Sequence, residues 1–116
     1  MAYIDGFVMA VPAAKKQAFQ EGTKVWAKYL KELGATRVVQ AWGDDVPEGK
    51  LTDFRRAVAA QEGEIVSFGW AEYPSKAVRE AAKTKMQSDE RMKNMEMPFD
   101  GKRMIFGGFE VLHDSN

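Results

Sequence analysis

Cysteine is absent from this chain of 116 residues, and histidine occurs once, as His113. Zinc and iron sites draw mostly on these two residue types, so a thiolate or histidine-rich metal site is excluded within one chain. A cysteine nucleophile is excluded too, and a serine–histidine pair could use only His113, near the C-terminal end, where chains tend to fray. Glycine-rich phosphate loops of Walker or Rossmann spacing are also absent. We therefore predict no metal and no cofactor.

The chain also lacks net charge and long hydrophobic runs. Its 17 basic and 17 acidic residues are interspersed, so no net field attracts a polyanion, and nucleic acid is not expected as a partner. No segment approaches the run of about 18 apolar residues that a membrane span needs. Residues 1–5 lack the basic and apolar regions of a signal peptide. We expect a cytoplasmic protein with no membrane partner.

The apolar pattern divides the chain into strands and helices within one expected domain, residues 1–116. Alternation and β-branched residues predict strands over 3–11, 35–42, 65–73 and 103–112. Helical spacing predicts long helices over 13–33 and 76–86, the second capped by Ser75. Between the middle strands lies a longer excursion, in which Thr52 could cap a short helix over 53–58. A further short turn follows Asp89.

This order predicts an α+β, ferredoxin-like βαββαβ fold, whose four-stranded antiparallel sheet carries both long helices on one face. Both faces of the first strand are largely apolar, so the opposite face of the sheet is expected to be bare. An apolar patch of that size usually marks a partner surface. We predict a homodimer that pairs sheet against sheet, with Met104, Phe106 and Gly108 of the last strand turned toward the partner.

Two segments are distinctive. Residues 43–50 read Gly-Asp-Asp-Val-Pro-Glu-Gly-Lys, and residues 97–104 read Met-Pro-Phe-Asp-Gly-Lys-Arg-Met. Together with residues 3–8, 73–75 and 89–92, they resemble the YbaA-like family of uncharacterised bacterial proteins over nearly the whole chain. Glu90 departs from that family's pattern, which has a proline there.

The resemblance implies the dimeric α/β-barrel superfamily, in which two ferredoxin-like subunits close a barrel. That superfamily includes cofactor-independent monooxygenases, haem-degrading enzymes and small-molecule binders. Fold analogy does not fix function, and the YbaA-like branch brings no activity with it.

The first candidate site combines two carboxylates with aromatic side chains that alternation could place on the face turned into the barrel. Its members are Asp5, Glu72, Trp42, Trp70 and Phe106. Buried carboxylates beside aromatic rings have raised pKa values and could shuttle protons, so Asp5 and Glu72 are the candidate catalytic residues. The interpretation that we favour is structural: both carboxylates form hydrogen bonds or ion pairs at the rim, with Arg37 or Arg103 as candidate partners.

A second candidate is a polar loop site formed by Asp44, Asp45, Asp100 and Arg103, should the two turns meet at one end of the barrel. Paired carboxylates could hold a hard cation or a cationic ligand. Adjacent acids in a Gly/Pro turn more often accept hydrogen bonds from turn amides and fix the loop. We favour this structural interpretation here as well.

A third candidate is a group of methionines, which could form an adaptable ligand surface or simply fill the core. They are Met86, Met92, Met95, Met97 and Met104. Gly107 and Gly108 lie inside a strand, where they permit a bulge or close backbone packing.

Three functions remain open. The first is a homodimer that binds a small, partly apolar molecule in a barrel cavity lined by Trp42, Trp70, Phe106 and Met104. The second is a cofactor-independent oxygenase or isomerase, with Asp5 or Glu72 as proton acceptor. The third is a structural or regulatory dimer with a filled core.

Overall fold

Four antiparallel strands form one sheet in the computed structural model, which describes residues 2–116. The strands are β1 (Tyr3–Pro12), β2 (Arg37–Trp42), β3 (Glu64–Tyr73) and β4 (Ile105–Glu110). Their order across the sheet is β2-β3-β1-β4, so the two longest strands, β1 and β3, lie in the centre. The predicted α+β class and ferredoxin-like βαββαβ order are confirmed.

Two long helices, α1 (Lys16–Glu32) and α3 (Lys76–Ser88), cover one face of the sheet. A turn of 3-10 helix, Ala13–Lys15, leads into α1. Leu30 of α1 and Ala82 of α3 share a buried cluster with Ala71 of β3, which places both helices on the same side. Gly34 has a φ of 118°, a left-handed conformation that ends α1 without strain.

Two short helices, α2 (Phe54–Ala57) and α4 (Glu90–Lys93), lie in the connections. The cap of α2 is Asp53, rather than the predicted Thr52: its carboxylate accepts a hydrogen bond from the Arg56 amide at 2.8 Å. Asp89 caps α4 through the Arg91 amide at 2.9 Å. The helix therefore begins normally with Glu90 in the place of the family's proline.

The last strand is shorter than predicted. β4 begins at Ile105, because Asp100 holds the preceding residues in a turn by accepting from the Lys102 amide at 3.0 Å. The register runs without interruption through Gly107 and Gly108, so the glycines do not form a bulge. A Cβ on Gly108 would lie 3.0 Å from Nη2 of Arg79, which confirms the prediction of close packing.

The face of the sheet opposite the long helices is only partly bare, which corrects the prediction. Val8, Ala10 and Val66 on this face form a buried cluster with Val58 from the excursion between β2 and β3. Side chains from β3 and β4 on the same face stay exposed. Among residues 2–116, no helix is both long enough and apolar enough to span a membrane.

Candidate functional site

The six residues predicted to line one barrel face lie on both faces of the sheet. On the helix side are Asp5, Trp42, Met104 and Phe106. On the opposite face are Trp70 and Glu72. Residues paired across neighbouring strands share a face, and Asp5 pairs with Ala71, whereas Glu72 pairs with Ile4. The prediction of one shared face is therefore wrong, and Met104, Phe106 and Gly108 do not belong to the open face of the sheet.

Asp5 is held by Arg79 of α3. Its Oδ1 accepts hydrogen bonds from Nη2 at 2.7 Å and Nε at 3.0 Å, and its Oδ2 lies 3.2 Å from Nε. Arg79 also donates from Nη1 to Glu80 at 2.7 Å, and its guanidinium lies over the Tyr3 ring. Hydrogen bonding to Asp5 raises the pKa of Arg79. Asp5 is thus a carboxylate in an ion pair, although its partner is neither of the arginines named from the sequence.

Glu72 lies on the open face, where Trp70 donates an indole N–H to it at 2.8 Å. Arg37, one of the two partners suggested by the sequence, lies 4.0 Å from the same carboxylate oxygen. These contacts fit the structural interpretation of Glu72. No hydrogen bond or ion pair joins Glu72 to Asp5 within residues 2–116, and a catalytic role for either stays a prediction.

A cavity of about 380 Å³ lies between the helix side of the sheet and the helices. Its walls come from β1, α1, β3 and α3, and from the segment that leads to β4. Phe7, Phe19, Phe99 and Trp26 supply aromatic surface. Met104 and Phe106, both predicted to bind a ligand, line this cavity, whereas Trp42 packs beside it against Phe19 at 6.0 Å between ring centroids. The observed cavity therefore lies within one subunit, rather than between two sheets.

Methionine is the most frequent residue type in the cavity lining. Every methionine in the part of the chain that the structure describes lines the cavity, namely Met9, Met86, Met92, Met95, Met97 and Met104. Met92 lies in α4, and Met95 and Met97 follow it in the segment that leads to β4, which packs against the helix side of the sheet. Unbranched thioether side chains adapt their shape to what they contact. The five methionines grouped from the sequence do come together in space.

Few polar side chains reach this cavity: Asp5 with Arg79, then Lys83, Gln40 and Tyr73. Gln40 donates from Nε2 to Ser67 at 2.7 Å, and Ser67 donates in turn to the Ala41 carbonyl, so Oε1 of Gln40 is left as an acceptor. Burial, with the negative charge of Asp5, raises the pKa of Tyr73 to about 12. Its phenol is therefore protonated at neutral pH.

The predicted polar loop site does not assemble. Arg103 donates to both carboxylate oxygens of Glu64, each at 2.7 Å, to Asp100 at 3.1 Å and to the Ala59 carbonyl at 2.9 Å. Hydrogen bonding from Arg103 holds the pKa of Glu64 down at about 2. The Lys102 amide and Arg103 together lower the pKa of Asp100. Arg103 and Asp100 thus fix the turn before β4, as the structural interpretation expected.

Asp44 and Asp45 are exposed and follow β2, at the sheet edge opposite β4. The sheet order separates these edges by three strand spacings, about 14 Å. Neither aspartate has a hydrogen bond or ion pair to Asp100 or Arg103 among residues 2–116. Over the same residues, no group of three or more His, Cys, Asp or Glu side chains could hold a metal ion.

Arg79, Lys83 and Tyr73 were not identified from the sequence. A signal did exist for the two basic residues, because Arg79, Lys83 and Met86 follow helical spacing and so share one face of α3. A helix face that mixes charged and apolar residues indicates partial exposure to solvent. The sequence of α3 therefore gave no reason to expect a cavity beneath this face. Only the packing of α3 across β1 shows what this face contacts.

Residues 2–101 match the family described as "Protein of unknown function (DUF1428)". The uncharacterized protein YbaA of Escherichia coli K12 is 60% identical over 116 residues, covering 98% of this chain and 99% of the relative. The YbaA of Shigella flexneri is equally similar.

Solved structures show the fold. SnoaB, a cofactor-independent oxygenase from Streptomyces nogalater, gives a TM-score of 0.57 at 10% identity and covers 98% of this chain and 96% of its own. A dimeric ferredoxin-like protein from an uncultured marine organism gives 0.56 at 11%, covering 98% and 99%. At such low sequence identity, the similarity to these structures establishes the fold and nothing further. The sequence matches go further, and on their evidence this ferredoxin-like chain belongs to the YbaA family of proteins of unknown function.

Proposed function

We propose that the protein binds a small, predominantly apolar molecule in the cavity between its sheet and helices. The observation that carries this proposal is the convergence of six methionines and six aromatic rings on an open space of about 380 Å³. A cavity of this volume is within the range of small-molecule sites. A filled core, as a purely structural dimer would have, does not fit this space.

The few polar groups suit orientation of a ligand. Oε1 of Gln40, on β2, accepts no hydrogen bond from residues 2–116, and the Asp5–Arg79 pair joins β1 to α3. Asp5 and Arg79 already satisfy one another, so we assign them to shaping the wall. For the same reason the alternative of a cofactor-independent oxygenase with Asp5 as proton acceptor ranks second: Arg79 already occupies both oxygens of that carboxylate. The oxygenase activity given in the description of SnoaB is a property of SnoaB.

The test is binding of phenylnaphthylamine, a neutral apolar dye that fluoresces in apolar sites. Met95→Trp places a bulky ring in the cavity wall at a half-buried position, and we expect it to weaken dye binding by about tenfold or more. Val25→Trp on the exposed side of α1 is the control, since it adds the same ring outside the cavity. Dye binding that is equal in both variants, or no binding by the wild type, would overturn the proposal.

We further propose that two subunits pair through the open face of the sheet. Phe68, Ile105 and Phe109 are 42%, 46% and 56% exposed on this face, more apolar surface than a lone subunit usually leaves in contact with water. The dimeric ferredoxin-like neighbour supports this arrangement by its fold. A cytoplasmic location stays a prediction, which cell fractionation would check.

A further inference from the structure

The charges on the cavity wall do not balance. Three ionised side chains line it: Asp5, Arg79 and Lys83. Asp5 and Arg79 neutralise each other through three contacts of 2.7 to 3.2 Å. Arg79 also donates a hydrogen bond from Nη1 to the carboxylate of Glu80. Among the described residues that line the cavity, Lys83 therefore carries a charge without a lining counterpart; the carboxylate of Glu80, outside the lining, interacts with both Arg79 and Lys83.

Lys83 is positioned to use that charge on a ligand. It follows Arg79 by one helical turn on the same face of α3, and Met86 continues this face along the cavity. Its side chain is exposed at the cavity mouth, and its ammonium has no carboxylate within 4 Å and no hydrogen bond among residues 2–116. The nearest acid along the helix, Glu80, is already paired with Arg79 at 2.7 Å.

A second polar group on this wall lacks a partner. Tyr73 is only 1% exposed and packs in one cluster with Ala82, the residue before Lys83. Its hydroxyl lines the cavity and makes no hydrogen bond within the described part of the chain. No fully buried side-chain oxygen or nitrogen among residues 2–116 lacks a partner, so this hydroxyl keeps contact with the open space of the cavity. A protonated phenol can donate to an anionic oxygen, as the ammonium of Lys83 can.

We infer that the ligand of this cavity is an amphipathic monoanion, a molecule with an apolar body and one acidic group. The acidic group pairs with Lys83 at the mouth and the body packs against the methionines. This inference rests on the proposed function, because it names the class of molecule that the same cavity takes. A neutral apolar ligand would leave the charge of Lys83 and the Tyr73 hydroxyl without a role.

The test uses two dyes that differ by a single group: anilinonaphthalene sulfonate and its neutral counterpart phenylnaphthylamine. Each is titrated into the wild type, into Lys83→Gln, and into Lys85→Gln as the control. Lys85 has the same charge on α3 but does not line the cavity. We expect Lys83→Gln to weaken sulfonate binding by about three- to fivefold and to leave binding of the neutral dye unchanged, whereas Lys85→Gln should leave binding of both dyes unchanged.

Salt gives a second readout. Raising NaCl from about 50 mM to about 500 mM should weaken sulfonate binding by the wild type and not by Lys83→Gln, because salt screens an exposed charge pair. Only the part of the sulfonate signal that Met95→Trp removes is assigned to the cavity. If both dyes respond equally to Lys83→Gln, or if neither responds, the inference is wrong while cavity binding stands. If Met95→Trp leaves the neutral dye unaffected, the proposed function falls, and the inference with it.

Discussion

Two partly buried carboxylates of this protein are each held in place by a single arginine. Asp5 and Glu64 are both partly buried acids in the central strands, and each accepts several hydrogen bonds from one guanidinium, Arg79 or Arg103. The planar fork of arginine matches a carboxylate in geometry, so the pair fixes both side chains. Asp5 and Arg103 were singled out as candidates for chemistry, and in the structure both are committed to such pairs. Among residues 2–116, the polar side chains of the cavity wall outside such pairs are Lys83, Tyr73 and Gln40.

The Glu64–Arg103 pair predicts a loss of stability in acid. The pKa of Glu64 is lowered from 4.5 to about 2 by folding, so the pair contributes fully above pH 4.5 and is lost as the pH falls toward 2. Because the pair borders solvent, we expect about 1–2 kcal/mol from it. Urea unfolding should show wild type more stable than Glu64→Gln near pH 6, with the difference shrinking to nearly zero by pH 2.

Glu62→Gln is the control for this experiment. Glu62 is exposed, lies two residues away and has no ion pair within the structure described here. This variant should follow the wild type at every pH. A difference between wild type and Glu64→Gln that stays constant from pH 6 to pH 2 would show that the charge of Glu64 is not responsible.

At the scale of elements, the excursion between β2 and β3 differs from expectation in the residue that caps its helix. The sequence predicted a short helix there, and α2 exists, but it begins one residue later because Asp53 supplies the cap. Asp53 accepts hydrogen bonds from the amides of Arg56 and Gly49, at 2.8 and 3.1 Å, and so joins Gly49 to the first turn of α2. Threonine and aspartate are both good caps, so two adjacent candidates could not be ranked from composition.

This assignment predicts different outcomes for neighbouring substitutions. Asp53→Ala removes the cap and the tie to Gly49, and should lower the Tm by about 4 °C or more. Thr52→Ala removes the residue favoured by the sequence and should change the Tm by no more than about 1 °C. Differential scanning calorimetry of both variants is the measurement. A larger loss from Thr52→Ala than from Asp53→Ala would contradict the observed cap.

At the scale of the whole molecule, the sheet separates two surfaces with different roles. The helix side encloses the cavity, and the open face presents exposed apolar side chains beside the excursion. Both sides of the central strands are apolar, so either could have been assigned to the core. The methionine-rich segment after α3 closes over one side, and α2 covers only part of the other. The cavity and the proposed dimer surface therefore lie on opposite faces of the sheet.

The dimer proposal predicts that one substitution in β4 separates the subunits while its neighbour on the other face does not. Phe109 is 56% exposed on the open face, so Phe109→Glu buries a charge in the proposed interface and should produce monomers at micromolar concentration. Phe106 is 73% exposed in the same strand but lies on the helix side, and Phe106→Glu should leave the dimer intact. Sedimentation velocity measures both.

The outcomes are distinct. A wild type that sediments as a monomer would overturn the dimer proposal. Dissociation by Phe106→Glu, with Phe109→Glu still dimeric, would instead place the interface on the helix side of β4. That result would restore the orientation first expected from the sequence.

The sequence by itself determined the order of elements, the ferredoxin-like class and the family. Helical and alternating periods, caps and turn residues are local signals, and Gly34, Ser75 and Asp100 all act within a few residues of their own position. The structural roles of Asp100 and Arg103 in their turn were predictable for the same reason.

Only the tertiary structure decided which residues meet. Alternation shows which residues of one strand share a face, but the register between strands is a long-range property. One step of register separates Asp5 from Glu72, and it placed them on opposite faces. The Arg79–Asp5 pair joins residues 74 positions apart, and the methionine cavity joins β1, α3 and the segment before β4. No local pattern encodes such contacts, because they arise only when the helices pack on the sheet.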